Sequence, residues 1–140
     1  MNINSQLLKY VVSEESFPAK AFIIKEGDYG DWIYVILEGR VKIKKQTSGG
    51  MLTIDTLTKG DFIGEVALFK QSNGRRIVSA VADGPVLVGI LDMTQLSKKW
   101  QAQPCRIKNL ILNLIQNLEK ATQKSVNVLG TFSIPSEILK

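Results

Sequence analysis

The 140-residue sequence contains no histidine and only one cysteine, Cys105. Without an imidazole, Ser-His-Asp catalysis, Cys-His catalysis and histidine-ligated metals are excluded. A single thiol forms neither an intrachain disulfide nor a cysteine cluster for a metal, which fits a reducing compartment. The carboxylates that remain are dispersed among predicted turns. We therefore expect no catalytic residue, no metal and no cofactor, and we expect that the protein is not an enzyme.

Long apolar segments are also missing. The longest unbroken apolar run, Trp32–Leu37, is far shorter than the roughly 20 residues that a membrane-spanning helix needs. The N-terminus is polar and mixed, so no signal peptide and no membrane span are predicted. We therefore expect a cytoplasmic protein. A chain of this length is expected to form one domain.

Acidic residues are scarce in the last third of the chain. Residues 96–140 contain 7 Lys or Arg against 2 Asp or Glu, whereas residues 1–95 contain 11 of each, so the net charge of +5 lies in the last third. A basic segment can bind nucleic acid, anionic lipid or an acidic partner. Because the lysines are dispersed, a solvated helix surface is the preferred interpretation. Nonspecific contact with nucleic acid stays an alternative, and it would use Lys98, Lys99, Arg106, Lys108 and Lys120.

Turn residues divide the chain before Asp92 into short β-rich runs. Glycine turns such as Glu38-Gly39 and Asp83-Gly84-Pro85 separate them. Many short strands without intervening helices predict an antiparallel sandwich or barrel. The predicted strands are Ala21–Lys25, Trp32–Glu38, Arg40–Lys45, Leu52–Leu57, Ile77–Ala82 and Val86–Leu91.

The periodicity becomes helical after Asp92. A short helix over Met93–Gln101, with Thr94 as its N-cap, precedes a longer helix that starts at Pro104. One apolar stripe follows the longer helix, and it is wide enough to cover the barrel, to pair with a second subunit, or to do both. The stripe consists of Ile107, Leu110, Ile111, Leu114, Ile115 and Leu118.

A glycine-containing segment in the middle of the chain has the features of an anion site. A predicted strand ends at Gly64, and a short helix predicted from Glu65 would present free backbone N–H groups. Arg75 and Arg76 follow, and Ser79 lies three residues beyond Arg76. Amides, a guanidinium and a hydroxyl that converge on one point describe a phosphate pocket. Because Glu65 would repel a bare anion, it favours a ligand that also carries hydroxyls, as a ribose does.

Two motifs together resemble the cyclic nucleotide-binding domain family. Residues Gly27–Gly39 follow its pattern Gly-Asp-x-(Gly/Ala)-(Asp/Glu)-x-(aliphatic/aromatic)-(Tyr/Phe)-x-(Ile/Val)-x-x-Gly. Residues Gly60–Leu68 follow its phosphate-binding cassette, Gly-Asp-x-(Phe/Ile)-Gly-Glu-(aliphatic)-(Ala/Gly)-Leu. The resemblance covers residues 15–125. It implies a mainly β fold, an antiparallel jelly-roll barrel of the cupin-like double-stranded β-helix type, with C-terminal helices.

The resemblance also implies which residues bind the ligand. Glu65 would accept a hydrogen bond from the ribose 2′-hydroxyl, and an arginine would neutralise the cyclic phosphate with Ser79 beside it. Arg76 keeps the family's Arg-x-x-Ser spacing and is preferred, although Arg75 fits the loop length better. Ile77, where a threonine would favour guanine, makes cAMP the better guess than cGMP. Aliphatic residues of the sheet and the helix after Pro104 would enclose the base. The implied set is Gly64, Glu65, Val66, Ala67, Leu68, Arg75, Arg76 and Ser79.

We therefore expect a stand-alone cyclic nucleotide sensor that signals through movement of its C-terminal helix. A homodimer through that helix and an unidentified downstream protein are the expected partners, and no helix-turn-helix DNA reader is expected. The same fold kept without ligand, as a structural or dimerisation module, is the alternative. Trp32 and Trp100 are both predicted core residues. The expected organisation is a helical segment over residues 1–14 with a helix at Gln6–Val12, a barrel over 15–92 with the cassette at 60–82, helices over 93–126 and a tail over 127–140.

Overall fold

The structure is a computed structural model that describes residues 8–30, 32–64 and 75–132, with side chains as far as Lys124. One antiparallel sheet has the order β1-β6-β3-β4, while β2 pairs with β6 and β5 pairs with β3. The predicted antiparallel β architecture with C-terminal helices is confirmed. The elements are β1 (Val11–Phe17), β2 (Phe22–Ile24), β3 (Tyr34–Thr47), β4 (Gly50–Leu57), β5 (Phe62–Ile63), β6 (Ser79–Leu91), α1 (Met93–Gln101) and α2 (Cys105–Phe132).

Strands β3 and β6 are each continuous where the sequence predicts two shorter strands. Their pairing shifts register on either side of Glu38, opposite the Gly84-Pro85 segment. Gly39 has φ +98°, and a Cβ atom there would lie 2.5 Å from the Pro85 carbonyl oxygen. The predicted turns are therefore bulges at which two paired strands bend without ending, because positive φ and a missing side chain permit the close approach.

The main core cluster follows the alternation that the sequence predicts in the second half of β3. Val41 and Ile43 are buried, whereas Arg40, which directly follows the bulge at Gly39, is exposed. A second, smaller cluster of Ile33, Val35 and Leu91 lies against α1, where Met93 and Leu96 pack on it. The main cluster consists of Ile23, Ile24, Ile36, Val41, Ile43, Ile63, Ala80, Ala82, Val86 and Val88.

The predicted N-terminal helix over Gln6–Val12 is wrong at its end, because Val11 begins β1. Residues 1–7 lie outside the described residues. Strand β1 is at an edge of the sheet and pairs along its length with Val86–Leu91. Its side chains are mostly exposed, so the backbone ladder stabilises the strand and the sequence carries no alternation that would have revealed it.

Helix α1 has the predicted bounds, but Asp92 and not Thr94 is its N-cap. The Asp92 carboxylate accepts hydrogen bonds from the backbone N–H groups of Thr94 (3.0 Å) and Gln95 (3.2 Å). Trp100 is buried as predicted. Helix α2 starts directly after Pro104 and runs past residue 126 to Phe132, so the first part of the predicted tail is helical. None of the helices in the described ranges is long and apolar enough to cross a membrane.

Helix α2 divides its apolar stripe between two faces. Ile111 and Ile115 are half-buried on the helix, which contacts β3. The other apolar side chains are exposed by 44% to 67%, and we call them the open seam: Ile107, Leu110, Leu114 and Leu118. Their spacing of three and four residues places all four on one side of the helix.

Candidate functional site

Arg76 joins the two glycine-containing motifs. Its backbone N–H donates to the Asp28 carbonyl oxygen, and its own carbonyl accepts from the Gly27 N–H, both at 2.8 Å. A β-bridge between Tyr29 and Arg75 continues this pairing. The segment that precedes β6 is therefore fixed against the first turn of the Gly27–Gly39 motif, although 48 residues separate Gly27 from Arg75.

The guanidinium of Arg76 is held by two carbonyl oxygens from different parts of the chain. Nη2 donates to Trp32 at 2.7 Å and Nη1 donates to Gly64 at 3.4 Å. Arg76 as a whole is only 8% exposed. Such a fork of fixed N–H donors holds the charged group in one orientation, which a flexible lysine would not do.

Two glycines make room for this guanidinium. A Cβ atom on Gly64 would lie 2.5 Å from Arg76 Nη1, and one on Gly30 would lie 3.0 Å from Nη2. Gly64 also has φ +83°, which other residues rarely adopt. Gly30 belongs to the first motif and Gly64 to the second, so the motifs contribute space as well as hydrogen bonds to the same side chain.

A cavity of about 260 Å³ opens beside Arg76. Its volume is just below the range for ligand sites, which is about 300–1,000 Å³. Three aromatic residues at its wall are strongly exposed: Phe22 by 45%, Tyr29 by 69% and Trp32 by 51%. The described residues that line it are Phe22, Ile23, Ile24, Lys25, Asp28, Tyr29, Gly30, Trp32, Tyr34 and Arg76.

Arg75 and Ser79 do not line this cavity. Arg75 is exposed, donates from Nε to the Gly27 carbonyl oxygen at 3.2 Å, and lies 5.8 Å from the centre of the Tyr29 ring. Ser79 is 2% exposed, and its hydroxyl oxygen accepts a hydrogen bond from the backbone N–H of Glu26 at 2.9 Å. Of the predicted residues, the structure thus brings Gly64 and Arg76 together. Arg75 and Ser79 instead form hydrogen bonds with the Gly27 turn and its neighbour Glu26.

A polar network supports the strand that follows Arg76. The Glu26 carboxylate accepts from Lys45 Nζ at 3.2 Å and from the Gln46 backbone N–H at 2.9 Å. Lys45 Nζ also donates to the Ile77 carbonyl oxygen at 2.7 Å. Both charged side chains are largely buried, with 18% exposure for Lys45 and 26% for Glu26. The network therefore connects β3, the Gly27 turn and the start of β6.

Four predicted ligand-binding residues lie outside the described residues: Glu65, Val66, Ala67 and Leu68. The predicted short helix from Glu65 and the loop through Ser72-Asn73-Gly74 lie there too.

Trp32 and Tyr34 line the cavity, and the sequence interpretation did not assign either of them to the candidate site. Trp32 is half-exposed at the cavity, so its assignment to the core is wrong. Burial raises the pKa of Tyr34 above its ordinary value of 10.0, the Glu15 carboxylate raises it further, and Arg76 opposes both effects. The phenol is therefore neutral at physiological pH and can donate a hydrogen bond at the cavity wall.

Comparison with known proteins gives a consistent family assignment. The family model described as "Cyclic nucleotide-binding domain" matches residues 14–103. Isozyme 1 of cGMP-dependent protein kinase from Drosophila melanogaster is 30% identical over 90 residues, which are 60% of this chain and 12% of the kinase. A CRP-like cAMP-activated global transcriptional regulator from Mycobacterium tuberculosis is 26% identical over 125 residues, which are 89% of this chain and 54% of the regulator.

Comparison of the fold with solved structures agrees with this assignment. The cAMP-bound form of the EAL enzyme Bd1971 superimposes with a TM-score of 0.73 and 26% identity, over 81% of this chain and 30% of that enzyme. The predicted jelly-roll fold class is thereby confirmed. The chain spans about half of the mycobacterial regulator and a much smaller part of the kinase. Because the family model covers more than half of the residues, the chain belongs to the cyclic nucleotide-binding domain family.

Proposed function

We propose that this chain is a regulatory module that binds a cyclic nucleotide and does no catalysis. The position of Arg76 carries the proposal, because its buried guanidinium lies at the wall of a cavity and is held in one orientation. A planar, permanently charged fork of donors is well suited to a cyclic phosphate. Relatives named for responses to cGMP and to cAMP support the same ligand class.

The other predicted residues are assigned contacts with the ligand, or with the residues that hold Arg76. We propose that Glu65 accepts a hydrogen bond from the ribose 2′-hydroxyl and that the backbone from Gly64 to Leu68 approaches ribose and phosphate. Arg76, and not Arg75, is the phosphate-binding arginine of this proposal, since Arg75 lies on the exposed side of the Gly27 turn. Ser79 acts indirectly, since its hydroxyl holds Glu26 and thereby the turn to which Arg76 is paired.

The preferred ligand of this proposal is cAMP. Ile77 follows Arg76, is 38% exposed and has no hydroxyl with which to bind a guanine. A site that binds guanine through a hydrogen bond discriminates strongly against a base that lacks the partner, and the reverse preference is weak. We therefore expect cAMP to bind better than cGMP by a modest factor.

Signal output through α2 is the second part of the proposal. Nucleotide binding shifts an equilibrium only if α2 has different contacts in the two states. The open seam of four exposed apolar residues supports a homodimer through α2, because their spacing suits helix pairing. The single exposed Cys105 is compatible with a reducing cytoplasm, which is the proposed location.

A ligand-free dimerisation module is the second candidate, and the open seam favours it because the seam lies on α2 and not at the cavity. Under that alternative the dimer would form, and no nucleotide would bind. The basic C-terminal helices give the nucleic-acid alternative, for which binding should weaken steeply as salt is added.

Calorimetric titration with cAMP, cGMP and the open-chain 5′-AMP tests the proposal. We expect heat with the cyclic nucleotides, a loss of about 100-fold or more in cAMP affinity for Arg76→Ala, and a change within about twofold for the matched variant Arg75→Ala. Melting temperatures check that both variants fold. No heat and no rise in melting temperature at millimolar cAMP or cGMP would contradict the proposal, and loss of binding in Arg75→Ala alone would contradict the arginine assignment.

A further inference from the structure

Trp32 differs from its neighbours in where its side chain lies. Ile33 and Val35 are buried in the cluster that packs beneath α1, whereas Trp32 and Tyr34 line the cavity. This is the alternation of an extended chain, in which successive side chains point to opposite faces. An indole that is 51% exposed is thereby presented at the cavity.

The same residue is attached to the proposed phosphate site through its backbone. The Trp32 carbonyl oxygen accepts from Arg76 Nη2 at 2.7 Å, so the backbone that carries the indole is fixed beside the guanidinium. Trp32 and Arg76 also line the same cavity, so a nucleotide whose phosphate lies at Arg76 has the Trp32 side chain at the wall of its own cavity. The wall of this cavity of about 260 Å³ includes the Trp32 side chain, which is strongly exposed.

Trp32 is better suited than the other exposed aromatic residues to receive a flat apolar ring. Lys25 Nζ lies 5.8 Å from the centre of the Phe22 ring, and the Arg75 guanidinium lies 5.8 Å from that of Tyr29. Those two rings already have a cation beside them, whereas the large indole of Trp32 is next to the Arg76 site. Base stacking on an aromatic side chain contributes in a sequence-tolerant way, because every base has a π-face.

We propose that Trp32 is the base-stacking residue of this site, so that the purine lies on the indole at the cavity wall and not only among aliphatic residues enclosed by α2. This inference rests on the proposed function, and it assigns to Trp32 part of the base specificity. Stacking accepts every base, but the larger purine stacks more strongly, so cAMP should bind better than cyclic cytidine monophosphate by a modest factor that depends on Trp32.

Titration of the full chain with cAMP and with cyclic cytidine monophosphate tests the assignment. We expect Trp32→Ala to weaken cAMP binding by about 5- to 150-fold, the range that corresponds to one stacked base. Trp32→Phe should retain most of the affinity, because it keeps an aromatic face. The preference for the purine should shrink in Trp32→Ala. Met51→Ala, which truncates a similarly exposed apolar side chain on β4, is the matched control and should bind as the unmodified chain does.

Tryptophan fluorescence gives a second readout that does not depend on the affinity of a variant. The chain has two tryptophans, and Trp100 is buried in α1. In Trp100→Phe, cAMP should still change the emission of Trp32, whereas in Trp32→Phe the ligand-induced change should disappear.

The outcomes separate this inference from the proposed function. If Trp32→Ala binds cAMP within about twofold of the unmodified chain, or if cAMP leaves Trp32 emission unchanged while calorimetry shows binding, the stacking role is overturned and cyclic nucleotide binding stands. If the unmodified chain binds no cyclic nucleotide, the proposed function fails and the stacking role fails with it.

Discussion

The Arg76 guanidinium occupies the space that any side chain on Gly64 would need. A Cβ atom there would lie 2.5 Å from Nη1, and the Gly64 carbonyl oxygen accepts from that same nitrogen. The glycine of the second motif therefore does two things at once: its positive φ turns the chain at the end of β5, and its missing side chain admits the arginine.

Substitution of Gly64 tests this relationship. We expect Gly64→Ala to lower the free energy of unfolding by about 1–2 kcal/mol, because alanine is strained at φ +83°. Displacement of the guanidinium should also weaken cAMP binding by about 10-fold or more. Gly30→Ala is the graded control: its Cβ would be 3.0 Å from Nη2, no positive φ is involved, and a small movement of the arginine suffices. Urea unfolding and calorimetric titration measure both effects, and equal affinities in the two variants and the unmodified chain would refute the account.

Removal of the Ser79 hydroxyl separates a supporting role from a ligand contact. Ser79→Ala leaves the backbone N–H of Glu26 without its acceptor, so we expect the free energy of unfolding to fall by about 1–3 kcal/mol. Because Ser79 lies away from the cavity lining, the cAMP affinity of the folded variant should change by less than about threefold. Ser13→Ala, an exposed serine on β1, is the control for serine truncation in a strand. Unchanged stability together with a large loss of affinity would instead place Ser79 on the phosphate.

The two faces of α2 give the third prediction. Leu114→Gln lies on the open seam and should dissociate the proposed dimer while it leaves the melting temperature of the monomer nearly unchanged. Ile115→Gln lies on the half-buried face and should lower the free energy of unfolding by roughly 1–2 kcal/mol. Sedimentation at several protein concentrations and thermal melts distinguish the two variants. A chain that sediments as a monomer at every concentration would rule out the seam as a dimer interface.

Local chemistry in the sequence was sufficient for much of the helical region and part of the site. The period of apolar residues and Pro104 predicted where α1 and α2 begin, and Asp92 was missed as the cap only because Thr94 is also a capping residue type. The family's Arg-x-x-Ser spacing selected Arg76, which lies at the cavity, although the role implied for Ser79 differs from its observed contact with Glu26.

Strand boundaries were less predictable, because glycine and proline have the same signature in a turn and in a bulge. Glu38-Gly39 and Gly84-Pro85 lie opposite each other in the paired strands β3 and β6, and only this pairing makes each of them a bend in a continuous strand. Strand β1 was missed for a related reason. Its mostly polar side chains show no strand pattern, and the strand is formed by backbone pairing with Val86–Leu91.

The sequence by itself determined the fold class, the family and the residue types at the proposed anion site, because turn chemistry, strand alternation and two spaced motifs are local properties of the chain. Only the tertiary structure decided that the Trp32 side chain lies at the cavity and not in the core, which arginine is buried and which leucines of α2 are exposed. Those outcomes depend on contacts between segments that lie far apart in sequence, such as Arg76 with Trp32 and Ser79 with Glu26, and no local pattern encodes them.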